Sequence, residues 1–134
     1  MKKTEKETKL KEFYKKKRTQ NKLEYEIDIL ANSNNEMKAI IENDFKSDVI
    51  SERIERNNNI ITDKHLKVND IKAELAAMEF IISSLPEDEK TIIEMRYKNN
   101  KDYQSIVEEL NISKSTISRR ISNVFNILEE ELDM

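Results

Sequence analysis

The sequence predicts an all-α fold in two parts: a long helical front, built as a hairpin or a coiled coil, and a compact three-helix C-terminal part. Three observations predict it. The 134 residues contain no glycine and one proline, so the chain has almost no punctuation for turns or strand ends. Apolar residues recur at steps of three, four and seven, the spacing of one helix face rather than of a strand. Apolar content is 37% and charged content 38%, low for a large globular core but above that of a disordered chain.

The length suits one domain, or one small domain plus an extension. Cysteine is absent, which excludes disulfides and thiol chemistry and is compatible with a cytoplasm. No apolar run approaches the length of a membrane span. The start, MKKTEKETKLKEFYKKKR, is basic but lacks the apolar segment of a signal peptide. A cytoplasmic protein without a membrane partner is therefore expected. The formal net charge of −3 hides segregation: Met1 to Lys22 carries ten Lys/Arg against three acids. Arg96 to Asn126 carries six Lys/Arg against three acids. For a polyanionic partner the local sign matters more than the total.

Residues 1–22 read as a basic helix or a frayed tail, with Leu10, Phe13 and Tyr14 as a weak apolar side. The run Lys15-Lys16-Lys17-Arg18 suits a solvated face, or a non-specific grip on phosphates. In 19–43, Leu23, Ile27, Leu30, Met37 and Ile40 or Ile41 form a seam for a partner helix, with Tyr25 and Ile29 beside it. The stretch Ala31-Asn32-Ser33-Asn34-Asn35 either breaks this seam or lies within one long helix. In 44–65, Phe45, Val49, Ile50 and Ile54 fit a short amphipathic helix capped by Asp44 or Ser47. Asn57-Asn58-Asn59 and Asp63-Lys64-His65 read as loop. The lone His65 has no neighbouring set of metal ligands. Residues 66–84 predict a helix with a wide stripe, Val68, Ile71, Leu75, Met78 and Ile82, broadened by Ala76, Ala77, Phe80 and Ile81. Ser83 or Ser84 is the expected cap of the next helix, which puts the boundary between a part spanning 1–84 and a part spanning 85–134.

The C-terminal part opens at Leu85-Pro86, where proline is tolerated because its missing N–H would have no helical partner. Glu87, Asp88 and Glu89 suit the positive helix end. Ile92, Ile93, Met95 and Tyr97 supply the apolar side, and Lys98-Asn99-Asn100-Lys101 reads as a connection. The second helix is short, capped by Asp102 and lined by Tyr103, Ile106, Val107 and Leu110. Asn111 is the candidate for a left-handed turn residue, Ile112 returns to the core, and Ser113 caps the third helix. On that helix Ile117, Ile121, Val124 and Leu128 share a face, with Phe125 and Leu132 near its edge. Ser115, Arg119, Ser122 and Asn126 lie opposite, flanked by Lys114, Thr116, Ser118, Arg120 and Asn123. No acid occurs from Lys114 through Leu128, whereas a helix surface built for solubility mixes both signs.

Two consecutive helices in this order predict a helix-turn-helix whose last helix enters a DNA major groove. Arg119 can fork onto guanine, amides can pair with adenine, and hydroxyls serve bases or phosphates. The candidate DNA-binding residues are Lys114, Ser115, Thr116, Ser118, Arg119, Arg120, Ser122, Asn123 and Asn126. Arg96, Lys98, Lys101 and Tyr103 are candidate DNA-backbone contacts. A plain helical hairpin with a polar outer face would give much the same pattern.

The stretch also resembles the promoter-reading C-terminal domain of bacterial sigma factors, which contacts the −35 element. Leu85-Pro86, Ile92-Ile93, Met95-Arg96-Tyr97, Tyr103, Ile106, Leu110, Ile112-Ser113, Thr116-Ile117 and Leu128 fall where that family has its leucine-proline, arginine-tyrosine, tyrosine-x-x-isoleucine and serine-x-x-threonine-valine pattern. The resemblance covers about the last third of the chain. With its lysine-rich helical front, the whole chain looks like small phage-encoded transcriptional regulators of the RinA and ArpU kind. Val107 replaces the family's usual alanine where the two helices cross, and Asn111 replaces its usual glycine. The resemblance implies docking on bacterial RNA polymerase. The first 80 residues have no clear match to the part of sigma factors that melts the −10 region.

The expected function is a sequence-specific DNA-binding transcription regulator, a phage or prophage activator acting with host RNA polymerase. Homodimerisation through 19–43 and 66–84 is compatible with the seams. The alternatives are a helical adaptor or oligomerisation protein that does not bind DNA, and a diverged alternative sigma factor. No catalytic residue, metal site or cofactor is expected. The chain lacks phosphate-cradling glycines, and Glu108 and Glu109 are adjacent, so they point apart on a helix.

Overall fold

The computed structural model describes residues 3–42 and 48–132. All of its elements are helical: α1 (Lys3–Glu42), α2 (Asp48–Ser83), α3 (Glu87–Ile93) running into a π turn (Glu94–Lys98), α4 (Tyr103–Leu110) and α5 (Lys114–Glu131). The all-α expectation, a helical front followed by a helix-turn-helix, holds. The chain divides into two compact units, Met1–Lys16 with Leu75–Met134, and Lys17–Glu74.

In the unit Lys17–Glu74 the two long helices run antiparallel. Asn34 Nδ2 donates to Asn58 Oδ1 and Asn57 Nδ2 donates to Asn34 Oδ1, each at 2.9 Å. Lys64 pairs with Glu26, and Lys72 lies 3.6 Å from Glu24. Gln20, Ile27 and Asn34 are buried at seven-residue intervals on α1; on α2, Ile54, Ile61 and Val68 turn inward at the same interval. A seven-residue repeat keeps one side of each helix on its neighbour.

One open alternative is decided here and one loop expectation is corrected. Ala31 to Asn35 does not interrupt α1, and Asn57-Asn58-Asn59 with Asp63-Lys64-His65 lies inside α2. Asparagine is a weak helix former because its amide competes for backbone hydrogen bonds. Here Asn34, Asn57 and Asn58 satisfy one another across the helix pair, so tertiary bonding overrides local preference. Val49 also departs from its expected place, being exposed, while Ile50 and Ile54 are half-buried. Phe45 and the caps at Asp44 or Ser47 lie outside the described residues.

The other unit holds the C-terminal helices together with the start of α1 and the end of α2. The basic stretch is helical from Lys3, and its weak apolar side is fully used: Leu10, Phe13 and Tyr14 are buried. Lys6, itself buried, donates to Glu129 Oε2 at 2.9 Å. Leu75, Met78, Ile81 and Ile82 are buried as well. The predicted breadth of the α2 stripe is too great, because Ala76, Ala77 and Phe80 are exposed. Ser83 and Ser84 do not cap α3. Both hydroxyls donate back to the Phe80 carbonyl, and Pro86 precedes α3 without a side-chain cap.

Candidate nucleic-acid interface

α3 and the π turn supply the floor on which the last two helices rest, α5 on α3 and α4 on the π turn. Ile92, Ile93, Met95 and Tyr97 are buried. The Tyr97 ring lies 6.5 Å from that of Phe125 on α5, and its hydroxyl is 3.5 Å from Glu7 Oε1. Burial, and then the Glu7 carboxylate, push the Tyr97 phenol well above its ordinary pKa. The predicted connection after Tyr97 is tighter than expected. A π turn closes with Asn99 N donating to the Glu94 carbonyl at 2.9 Å, and Asn100 then takes φ 55°. Asparagine enters that left-handed region more cheaply than most residues with a Cβ.

α4 begins where the sequence places it. Asp102 Oδ1 accepts from Ser105 N at 2.8 Å. The hydrogen bonds from the Ser105 backbone and hydroxyl, aided by nearby Arg96, hold the Asp102 carboxyl below its usual range. α4 ends at Asn111, φ 55° and ψ 45°, whose N–H donates to the Val107 carbonyl at 2.8 Å. Ser113 then caps α5, its Oγ accepting from Thr116 N at 3.2 Å. Ile106 of α4 and Ile117, Ile121, Val124, Phe125 and Leu128 of α5 are buried. Their packing fixes which side of α5 remains outside.

That outer side carries Lys114, Ser115, Ser118, Arg119, Ser122, Asn123 and Asn126, all exposed. Arg119 makes no ion pair or hydrogen bond among the described residues. Two candidates differ from this set. Thr116 is half-buried and belongs to the cap, its Oγ1 lying 2.9 Å from Ser113 Oγ. Arg120 is half-buried and pairs with Asp88 of α3.

The backbone candidates also separate. Arg96 Cζ lies 5.1 Å from the Tyr103 ring centroid, and Lys114 Nζ lies 5.7 Å from it. Both distances fall within the range of cation–π attraction. Arg96 also donates to the Lys101 carbonyl at 3.1 Å. Lys101 is engaged by Glu109, while Lys98 is exposed. Lys114, Tyr103 and Arg96 thus gather at the N-terminal end of α5, where free backbone N–H groups favour a phosphate. Sequence reasoning passed over Asp88 and Glu109 as partners of cations. Asp88 looked like a helix-end acid and Glu109 like a scattered surface carboxylate.

The helix pair, joined by its left-handed asparagine turn and carrying an acid-free outer side on α5, has the arrangement of a helix-turn-helix. Residues 81–129 match the family model of Sigma-70, region 4. This match covers the end of α2 and nearly all of α3 to α5. Region 4 is a DNA-binding helix-turn-helix, a regulatory rather than a catalytic domain, and the match is consistent with a transcriptional regulator. In the sigma family, region 4 also engages RNA polymerase. No curated protein and no solved structure matches the chain. No helix among the described residues is long and apolar enough to cross a membrane.

Proposed function

We propose that this protein is a sequence-specific DNA-binding transcriptional regulator of phage or prophage origin, an activator that works with host RNA polymerase in the bacterial cytoplasm. The observation that carries the proposal is the outer side of α5. Ser115, Ser118, Arg119, Ser122, Asn123 and Asn126 are exposed there, on a capped helix whose opposite side is fully used in packing. Such a face offers base-edge donors and acceptors without carboxylates to repel phosphate. Residues 85–134 form the reading part, with Lys114, Tyr103, Arg96 and Lys98 as backbone contacts. Thr116 supports the cap beside them.

Residues 1–84 serve as the dimerisation or partner-binding part, in which α1 and α2 act as a coiled coil. Much of the inner seam of 17–74 is occupied by the chain itself, so a homodimer through 19–43 and 66–84 would use outer positions such as Tyr25, Ile29, Leu66 and Phe80, all exposed. The test of the proposal is a gel shift with random duplex at two salt concentrations. A shift at low salt that fades at higher salt is expected. Absence of any shift at low salt contradicts it.

A further inference from the structure

The cations of the C-terminal part fall into two classes. Arg119 and Lys98 are exposed and pair with no acid among the described residues. Arg120 and Lys101 are each paired, with Asp88 and Glu109 respectively. Both pairs are accessible to solvent: the side chains are 32% and 50% exposed for Arg120 and Asp88, and 35% and 53% for Lys101 and Glu109. Ion pairs in such surroundings are weak, so an arriving phosphate competes with the carboxylate on nearly equal terms. Asp88 is also held in place, its Oδ1 accepting from the Glu89 N–H at 2.9 Å.

Resting on the DNA-binding proposal, we infer that Asp88 and Glu109 are specificity-determining residues. They hold Arg120 and Lys101 back from the sugar–phosphate backbone and thereby lower sequence-independent affinity. A free cation that meets a phosphate releases a condensed counterion, which strengthens binding to every sequence. A cation that must first leave a carboxylate exposes that carboxylate, which gathers a counterion of its own, and the release largely cancels. Arg119 has no such competitor, so base reading keeps its full strength. The ratio of specific to non-specific affinity, which decides occupancy in a genome, is raised.

The test uses the full chain and a short random-sequence duplex, titrated at several salt concentrations. Asp88→Asn is expected to tighten binding two- to five-fold at low salt, within what a surface pair can withhold, at about five-fold per 1 kcal/mol. The slope of log affinity against log salt should steepen by about 0.9, one added phosphate contact. Glu109→Gln should act likewise through Lys101, an independent arm should Asp88→Asn disturb the fold. Glu87→Gln removes the same charge beside Asp88 without freeing a cation and should change binding less. Adding Arg120→Ala to Asp88→Asn should abolish the gain.

Equal effects of Asp88→Asn and Glu87→Gln, or a gain that survives Arg120→Ala, overturn the role of Asp88. An unchanged slope in Glu109→Gln overturns that of Glu109. If the wild-type chain binds no duplex at any salt, the DNA-binding proposal itself falls, and this inference with it.

Discussion

Arg119 and the two residues that frame the turn bear most directly on what this protein does. Arg119→Ala should cost about 1–3 kcal/mol on the preferred duplex and blur its sequence preference, as loss of a bidentate base contact does. Competition titrations against a panel of duplexes measure this; equal weakening on all of them would make Arg119 a backbone contact. Ser113→Ala should cost about 1 kcal/mol of stability through the lost cap. At Asn111, whose φ is 55°, alanine should also cost about 1 kcal/mol while glycine should not, because asparagine enters the left-handed region more cheaply than alanine and glycine has no Cβ to clash there. Urea melts of the three variants test both statements. These positions were legible in the sequence because caps and left-handed turns depend on residues a few steps apart. The pairing of Arg120 with Asp88 was not, because it depends on how α3 lies against α5.

At the scale of elements, the last three helices were predicted well and the middle of α2 was not. Strong apolar periodicity and flanking caps give α4 and α5 their limits from the sequence alone. Asn57-Asn58-Asn59 carries the opposite local signal, and the contacts across the helix pair, the Asn34 amide among them, offset it. Asn34→Ala should therefore destabilise the pair by about 1–3 kcal/mol, roughly 0.5–1.5 kcal/mol for each of the two hydrogen bonds lost, and a drop in helical circular dichroism midpoint reads it out. The acid response belongs to this scale as well. Asp102 is held below its usual range by its bonds to Ser105, Glu129 by Lys6, and Glu26 by Lys64. A depressed folded pKa means that the stabilisation is present above the unfolded value, near 4 for carboxylates, and is lost as pH falls through the folded value. Unfolding midpoints should be flat near neutrality and decline below about pH 4, and Asp102→Asn should flatten that decline.

At the scale of the whole molecule, the sequence marked a boundary near Ser84, and the packing adds the first turns of α1 to the C-terminal helices. Leu10 is fully buried in that unit, and Lys6 and Glu7 reach Glu129 and Tyr97. Nothing local announced this, since Leu10, Phe13 and Tyr14 form only a short apolar side within a lysine-rich run. Leu10→Ala should cost about 2–5 kcal/mol and lower the melting of the helix-turn-helix as followed by the near-ultraviolet tyrosine signal, although Leu10 is far from it in sequence. The segment that matches region 4, packed with the start of the chain, presents the outer side of α5. Since the chain has no cysteine, Ser122→Cys places a single thiol on that side, and Ser51→Cys places one on α2 as a reference. The decisive measurement is the rate of thiol alkylation with and without bound duplex. Duplex is predicted to protect Ser122→Cys strongly and to leave Ser51→Cys unchanged; a Ser122→Cys thiol that reacts equally fast while duplex is demonstrably bound would contradict the assignment of α5 as the helix that enters the groove.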